Sequence, residues 1–230
     1  MKHTLGLFAV TALIGACASG PPVPEWESNA KTAIDHSIAA YLAGDTRLAD
    51  SDFERARSEL ARTGRIDLVG RAELVRCAAR VASLVFEFCE GFEKLRTDSA
   101  APERAYADYL AARVQSQDIA LLPPQHRAVA VTSLDAEAAS AALRGIEDPL
   151  SRLVAIGVLF QAGRASPTVI AMAADTASAQ GWRRPLLAWL NVQLALADKA
   201  GKTDEAAQLR RRIGVVQGDS ASLRDRGKAP

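Results

Sequence analysis

Two of the three cysteines in this chain lie near enough in sequence to form a cross-link. Cys77 and Cys89 are twelve residues apart. On one continuous helix their Cα atoms would be about 18 Å apart, whereas a disulfide needs roughly 7 Å or less. A bridge therefore requires that the helix end near Leu84 and that the chain turn back. The segment VFEFCEGF that follows permits this, because it holds poor helix formers and a glycine. We expect a Cys77–Cys89 disulfide that pins this loop, with two buried free thiols as the alternative.

The other chemically active residue types form no catalytic motif. There is no glycine-rich phosphate loop, no nucleophile elbow and no pair of histidines at metal-binding spacing in the sequence. His36 lies in an alanine-rich segment and is expected to pack or to face solvent. His126 follows a Pro-Pro corner, which is expected to reorient the chain, with ligand contact by a protruding His-Arg pair as the alternative. We predict no catalytic residue, no metal site and no cofactor. Buried carboxylates such as Glu73 or Glu87 remain candidates for a site that assembles only in the fold.

The third cysteine follows an apolar segment near the N-terminus. Thr4 to Ile14 is apolar apart from threonines and Gly6, and its eleven residues are too few to span a bilayer, which takes about 20 residues. The segment has the length of the apolar core of a secretory signal peptide. The residues Ile14-Gly15-Ala16-Cys17 resemble the bacterial lipobox, which directs lipid attachment to its cysteine and cleavage before it.

This resemblance implies that residues 1–16 are a signal peptide and that Cys17 becomes the first mature residue. Cys17 would carry a diacylglycerol thioether and an amide-linked acyl chain such as palmitate, and it would anchor the chain to a lipid bilayer. An ordinary signal peptide is the alternative. In the family an aspartate after the cysteine favours the inner membrane, and here that residue is Ala18. We therefore expect the outer membrane, with the protein facing the periplasm on a short tether, residues 17–25. An oxidising periplasm favours the predicted disulfide.

The charge balance gives no support for a nucleic-acid partner. The chain holds 28 basic and 27 acidic residues, and loss of residues 1–16 removes Lys2 alone, which leaves 27 of each. No basic stripe with interleaved aromatic residues is present. We predict no binding of nucleic acid.

The body of the chain, residues 26–216, is expected to be entirely helical. Apolar residues recur at three- and four-residue steps from Leu68 to Val85 and at Tyr106, Leu110 and Val114. The segment DPLSRLVAIGVLF is apolar on every side, which indicates a helix enclosed by neighbours. No window alternates apolar and polar residues as a strand would. The polar segment 217–230 is predicted to be a disordered tail.

Ala-Gly pairs divide this region into antiparallel hairpins. They occur at Gly44, Gly163 and Gly201, each between two helical segments. The segments AIDHSIAAYLAGDTRLADSDFERARSEL and LLAWLNVQLALADKAGKTDEAAQLRRRI resemble tetratricopeptide (TPR) hairpins. Gly163 and Gly201 are 38 residues apart, whereas that family repeats every 34 or so. A TPR-like α-solenoid and an irregular helical bundle both remain possible, and both are all-α.

The resemblance to TPR-like lipoproteins implies a protein-binding role. We expect an adaptor in the cell envelope that holds an unidentified envelope protein. The candidate contact residues are Phe86, Phe88 and Phe92 beside the cysteines, and Trp182 at the Gly181 corner. An envelope enzyme or a carrier of a small ligand is the alternative.

Overall fold

The computed structural model describes residues 23–131 and 135–218, and every regular element in these ranges is helical. In chain order the α-helices are α1 (Glu25–Ala43), α2 (Thr46–Ala61), α3 (Ile66–Ala82), α4 (Glu90–Glu93), α5 (Ala101–Leu110), α6 (Pro124–Ala130), α7 (Ala136–Arg144), α8 (Pro149–Gln161), α9 (Pro167–Ala179), α10 (Arg183–Lys199) and α11 (Thr203–Gln217). Short 3-10 helices follow α4 (Arg96–Asp98) and α5 (Ser116–Leu121). The prediction of an all-α fold is confirmed.

Some of the predicted segment boundaries fall within the described residues and others do not. The signal peptide, Cys17 and residues 219–230 of the predicted tail lie outside the described ranges. Glu25, expected in the tether, begins α1, and Gln217, expected in the tail, ends α11.

The predicted glycine corners end helices as expected. Gly44, Gly163 and Gly201 have φ angles of 103°, 70° and 67°, a left-handed conformation that glycine adopts without a Cβ clash. They separate α1 from α2, α8 from α9 and α10 from α11. After the first corner, the carboxylate of Asp45 accepts a hydrogen bond of 3.0 Å from the backbone N–H of Leu48, and this caps α2.

Helix α8 lies at the centre of the molecule, as its uniform apolarity predicted. All seven residues from Leu153 to Leu159 are buried. Gly157 faces α3 so closely that a Cβ placed on it would lie 2.5 Å from the carbonyl oxygen of Val81. The buried indole of Trp189, on α10, donates a hydrogen bond of 3.1 Å to the carbonyl oxygen of Ala82. Helices α3, α8 and α10 therefore meet where α3 ends.

The first and last hairpins of the chain also contact each other. The Arg184 guanidinium at the start of α10 donates hydrogen bonds to the carbonyl oxygen of Tyr41 (2.6 Å) and to the hydroxyl of Thr46 (2.7 Å). It also lies 4.2 Å from the centre of the Tyr41 ring. In a linear repeat array each unit packs only against its neighbours. Because α1 and α10 are not neighbours in the chain, their contact favours the irregular helical bundle over an open solenoid.

Two of the apolar patterns that predicted helices continue in the sequence past the point where the helix ends. Val85 lies beyond α3, because the chain turns at Leu84, which has a φ of 60°. Val114 likewise lies beyond α5, which ends at Leu110. Val75 is on α3 as predicted, but its side chain is partly exposed rather than in the core.

Candidate functional site

A disulfide joins Cys77 on α3 to Cys89, directly before α4. The Cα atoms are 6.0 Å apart, because α3 ends at Ala82 and the chain reverses at Leu84. Both the predicted bridge and the turn that it requires are confirmed. Residues 83–89 thus form a loop closed at its base by a covalent bond, hereafter the disulfide loop.

A cleft of about 610 Å³ lies between α2, α3, the disulfide loop and α4. This volume is within the range of roughly 300–1,000 Å³ found for small-molecule sites. Most of its lining is charged, and the signs are balanced. The acidic residues are Glu54, Glu73, Glu87 and Glu90, and the basic ones are Arg57, Arg76, Arg80 and Lys94. We call this space the polar cleft.

Glu73 is the buried carboxyl of the polar cleft. Only 6 % of its surface is exposed, and burial raises the pKa of its carboxyl, while the nearby Arg57 and Arg76 guanidinium groups oppose that rise. The Nε atom of Arg57 lies 3.4 Å from Oε1 of Glu73. A Cβ placed on Gly91 would lie 2.2 Å from Oε2 of Glu73, so the absence of a side chain at this position lets the carboxyl lie against α4. Glu73 therefore presents acceptor oxygens in a partly desolvated setting.

Glu87, the other carboxylate proposed from the sequence, was expected to be buried, and this expectation is wrong. Its side chain is exposed because it lies on the outer part of the disulfide loop. It forms a short ion pair with Arg80 of α3. Glu87 thus ties the loop to α3 beside the disulfide.

Of the four aromatic residues proposed as a contact surface, Phe88 is the most accessible. It is 67 % exposed on the disulfide loop, and the Arg113 guanidinium lies 5.9 Å from its ring centre. Phe86 is 37 % exposed and stacks on Phe160 with ring centres 6.3 Å apart. Trp182 is half-buried at the start of α10 and packs against the core.

Phe92 is fully buried, so the expectation that it lies on the surface is wrong. The short helix α4 turns its ring inward, against Gly70 of α3. A Cβ placed on Gly70 would lie 3.7 Å from two carbons of the Phe92 ring, which is van der Waals distance, so the ring packs directly against this part of α3. Phe92 is thus a core residue that secures α4.

His126 belongs to a buried aromatic cluster. It is 1 % exposed, its Nδ1 atom lies 3.3 Å from the hydroxyl oxygen of Tyr109, and its ring centre lies 5.7 Å from that of Tyr106. Burial lowers the pKa of His126 to about 4, and the negative charge of Asp148 opposes this only in part. The alternative of a protruding ligand contact is therefore wrong, and the corner has a structural role. His36 is exposed on α1.

Neither a metal centre nor a membrane span is found within residues 23–131 and 135–218. No three His, Cys, Asp or Glu side chains in these ranges are grouped so that they could hold a metal ion. None of the helices described there combines the length and the apolarity needed to cross a bilayer.

No local pattern in the sequence predicts the polar cleft. Its walls come from α2, α3 and α4, so Glu54 and Lys94 face the same space although they lie 40 positions apart. Comparisons of the chain with protein-family models, with curated proteins and with solved structures found no match. The disulfide loop and the polar cleft beside it are therefore the basis for assigning a function.

Proposed function

We propose that this chain is a lipoprotein anchored to the outer membrane through acylated Cys17, and that it acts as a periplasm-facing interaction adaptor for another envelope protein. The lipobox resemblance at Ile14–Cys17 supports the anchor. The Cys77–Cys89 disulfide supports an oxidising compartment, where such bonds persist. The hairpins α1–α2 and α10–α11 are the segments with the TPR-like sequence pattern, and we propose that they are related to that repeat.

The exposure of Phe88 is the observation that carries the adaptor proposal. Large aromatic side chains and arginines are enriched in protein interfaces, and Phe88 is 67 % exposed with Arg113 against its ring. The disulfide and the Arg80–Glu87 ion pair restrain the loop that carries it. A restrained loop loses less conformational entropy on association, which favours binding. We propose that Phe88 and Phe86 contact the partner.

Crosslinking in intact cells, followed by affinity purification from solubilised membranes, tests the adaptor role. We expect one envelope protein in stoichiometric amount with the wild-type chain and its loss with Phe88→Ala. Leu196→Ala is the matched control, because Leu196 is also an exposed apolar residue but lies on α10. Recovery of the chain alone at every crosslinker length, or equal recovery of the partner with Phe88→Ala, would contradict the proposal.

The anchor needs a separate test. Mass spectrometry of the N-terminal peptide from the membrane fraction should show Cys17 as the first residue, with a diacylglyceryl group and an amide-linked acyl chain. Cys17→Ala should remove both the lipid and the cleavage before position 17. An unmodified Cys17 in the mature protein would refute lipidation.

Glu73 supports a second candidate function, the binding of a small polar ligand in the polar cleft. Its carboxyl is buried, and its one ion-pair partner among the described residues, Arg57, lies at 3.4 Å. A ligand with an amine or hydroxyl donor could hydrogen-bond to the Glu73 oxygens from the polar cleft. Native mass spectrometry of the protein from the envelope should then show a bound species that is lost with Glu73→Gln. It should persist with Glu205→Gln, which changes an exposed carboxylate on α11. The unliganded mass in the wild-type protein would count against this candidate.

A further inference from the structure

A continuous apolar surface lies on a different side of α3 from the polar cleft. It consists of two troughs, of about 320 Å³ and about 480 Å³, which meet at Arg71 and Val75. The apolar side chains that line them come from α1, the end of α2, α3, α5 and the segment that leads into α6. We call this surface the apolar face, and Trp26, Ile34, Leu68, Val75, Tyr106 and Leu121 are among its side chains.

The charged groups around the apolar face are largely neutralised. Lys31, Arg65 and Arg71 each form an ion pair, at 2.6, 2.8 and 2.7 Å. Their partners are Asp35, Asp67 and Glu103. The two charged lining residues outside these pairs, Glu27 and Arg127, have opposite charges, and the guanidinium of Arg127 donates to the carbonyl oxygen of Leu122. The surface is thus apolar at its centre and nearly neutral at its rim, so it would not attract a strongly charged partner.

The apolar face begins where the chain would leave a membrane anchor. Trp26 lies in the first turn of α1 and lines the first trough. Val23, the first described residue, is six positions after Cys17 and is exposed. Six extended residues span at most about 20 Å. A lipid on Cys17 would therefore hold the start of α1, and with it the near end of the apolar face, next to the bilayer.

We propose that the apolar face docks against the surface of the membrane that holds the Cys17 anchor. This proposal rests on the proposed lipidation. Tryptophan suits the interface between headgroups and acyl chains, because it has an apolar ring and one N–H donor. Val75 and Leu121, each 37 % exposed, are the apolar side chains that would enter this region beside Trp26. Docking at a neutral rim depends little on salt.

Docking also depends on the tether. The apolar face is small, so its intrinsic affinity for a bilayer is low, and a short tether supplies a high effective concentration of membrane. The docked domain would hold one fixed orientation, with α1 at the bilayer.

The test attaches the mature chain to a membrane chemically. Because Cys77 and Cys89 are bridged, Cys17 is the one free thiol, and it can be coupled to a maleimide lipid in phosphatidylethanolamine–phosphatidylglycerol vesicles with brominated acyl chains. The chain carries Trp182→Phe, so that emission comes from Trp26 and from Trp189, which is buried and serves as the internal reference. We expect bromine to quench Trp26 in the coupled protein, compared with vesicles of unbrominated lipid.

Two variants and one control decide the outcome. We expect Val75→Asp and Leu121→Asp, which change different elements of the apolar face, each to abolish the quenching. The control variant, Leu196→Asp, should keep it, because Leu196 is exposed on α10 outside this surface. No quenching of Trp26 in the coupled wild-type chain, or quenching that persists in both variants, would overturn the docking proposal. Since the lipid is attached chemically, either result is independent of whether the cell lipidates Cys17, which the N-terminal mass decides.

Discussion

The buried imidazole of His126 should make the protein less stable in mild acid. Burial lowers its pKa from 6.5 to about 4 in the folded protein, while in the unfolded chain the pKa returns to its ordinary value. Between these two pH values the unfolded state binds a proton that the folded state does not. The free energy of unfolding must therefore fall as the pH falls through this window.

The size of the loss follows from the two pKa values of His126. A decrease from 6.5 to about 4 corresponds to about 3 kcal/mol once the pH is below both values. About 2 kcal/mol of this should already be lost at pH 5, relative to pH 7.5. Such a loss is large beside the total stability of a domain, about 5–15 kcal/mol.

Urea unfolding at pH 7.5 and pH 5 measures this directly. His126→Gln keeps a group that can hydrogen-bond to Tyr109 but cannot titrate, so its stability should fall by about 2 kcal/mol less between the two pH values than that of the wild type. Protonation of carboxylates is common to both proteins and cancels in the comparison. His36→Gln, on the exposed face of α1, is the control and should keep the wild-type pH dependence. Equal pH dependence of the wild type and His126→Gln would refute the argument.

Three further changes test the elements around the functional site. Replacing Cys77 and Cys89 by alanine should lower the free energy of unfolding by about 3 kcal/mol, because the unfolded chain gains conformational entropy when the cross-link is removed. Reducing agent should destabilise the wild type but not this variant. Gly157→Ala would bring a Cβ within 2.5 Å of the Val81 carbonyl oxygen and should cost about 1–3 kcal/mol in urea unfolding. Gly145→Ala, where the nearest atom is 3.4 Å away, is its control and should change little. Burial raises the pKa of Glu73, so stability is lost as the pH rises through the folded value. Glu73→Gln should therefore raise the melting temperature at pH 7.5 relative to the wild type. This increase should become smaller towards pH 4. An increase that is constant with pH would show that ionisation of Glu73 is not its cause.

Features set by short-range chemistry were predictable from the sequence. The corners at Gly44, Gly163 and Gly201 depend on the conformational freedom of one residue each, and the helices end there. The turn at Leu84 followed from how far a chain can reach between two cysteines, and the disulfide confirms it. In both cases the cause lies within about a dozen residues of the effect.

Features set by packing between distant segments were not predictable. Phe88 and Phe92 are four positions apart, yet one is exposed and the other buried, because α4 packs Phe92 against Gly70. The polar cleft required α2 to lie beside α4, and the choice between a solenoid and a bundle depended on the contact of Arg184 with Tyr41. The sequence contains these residues but no local pattern that pairs them.

The contact between Arg184 and Tyr41 has a consequence for how the chain folds as it is made. The two residues are 143 positions apart, and synthesis at about 5–20 residues per second separates their appearance by roughly 7–30 s. During this interval the α1–α2 hairpin can pack against α3, which follows it in the chain, but not yet against α10. Long-range closure of this kind slows folding relative to a bundle with local contacts. A chain truncated before α10 would keep the packing of the first hairpin on α3 but would lose the contacts of Arg184 with Tyr41 and Thr46 that hold the end of α1.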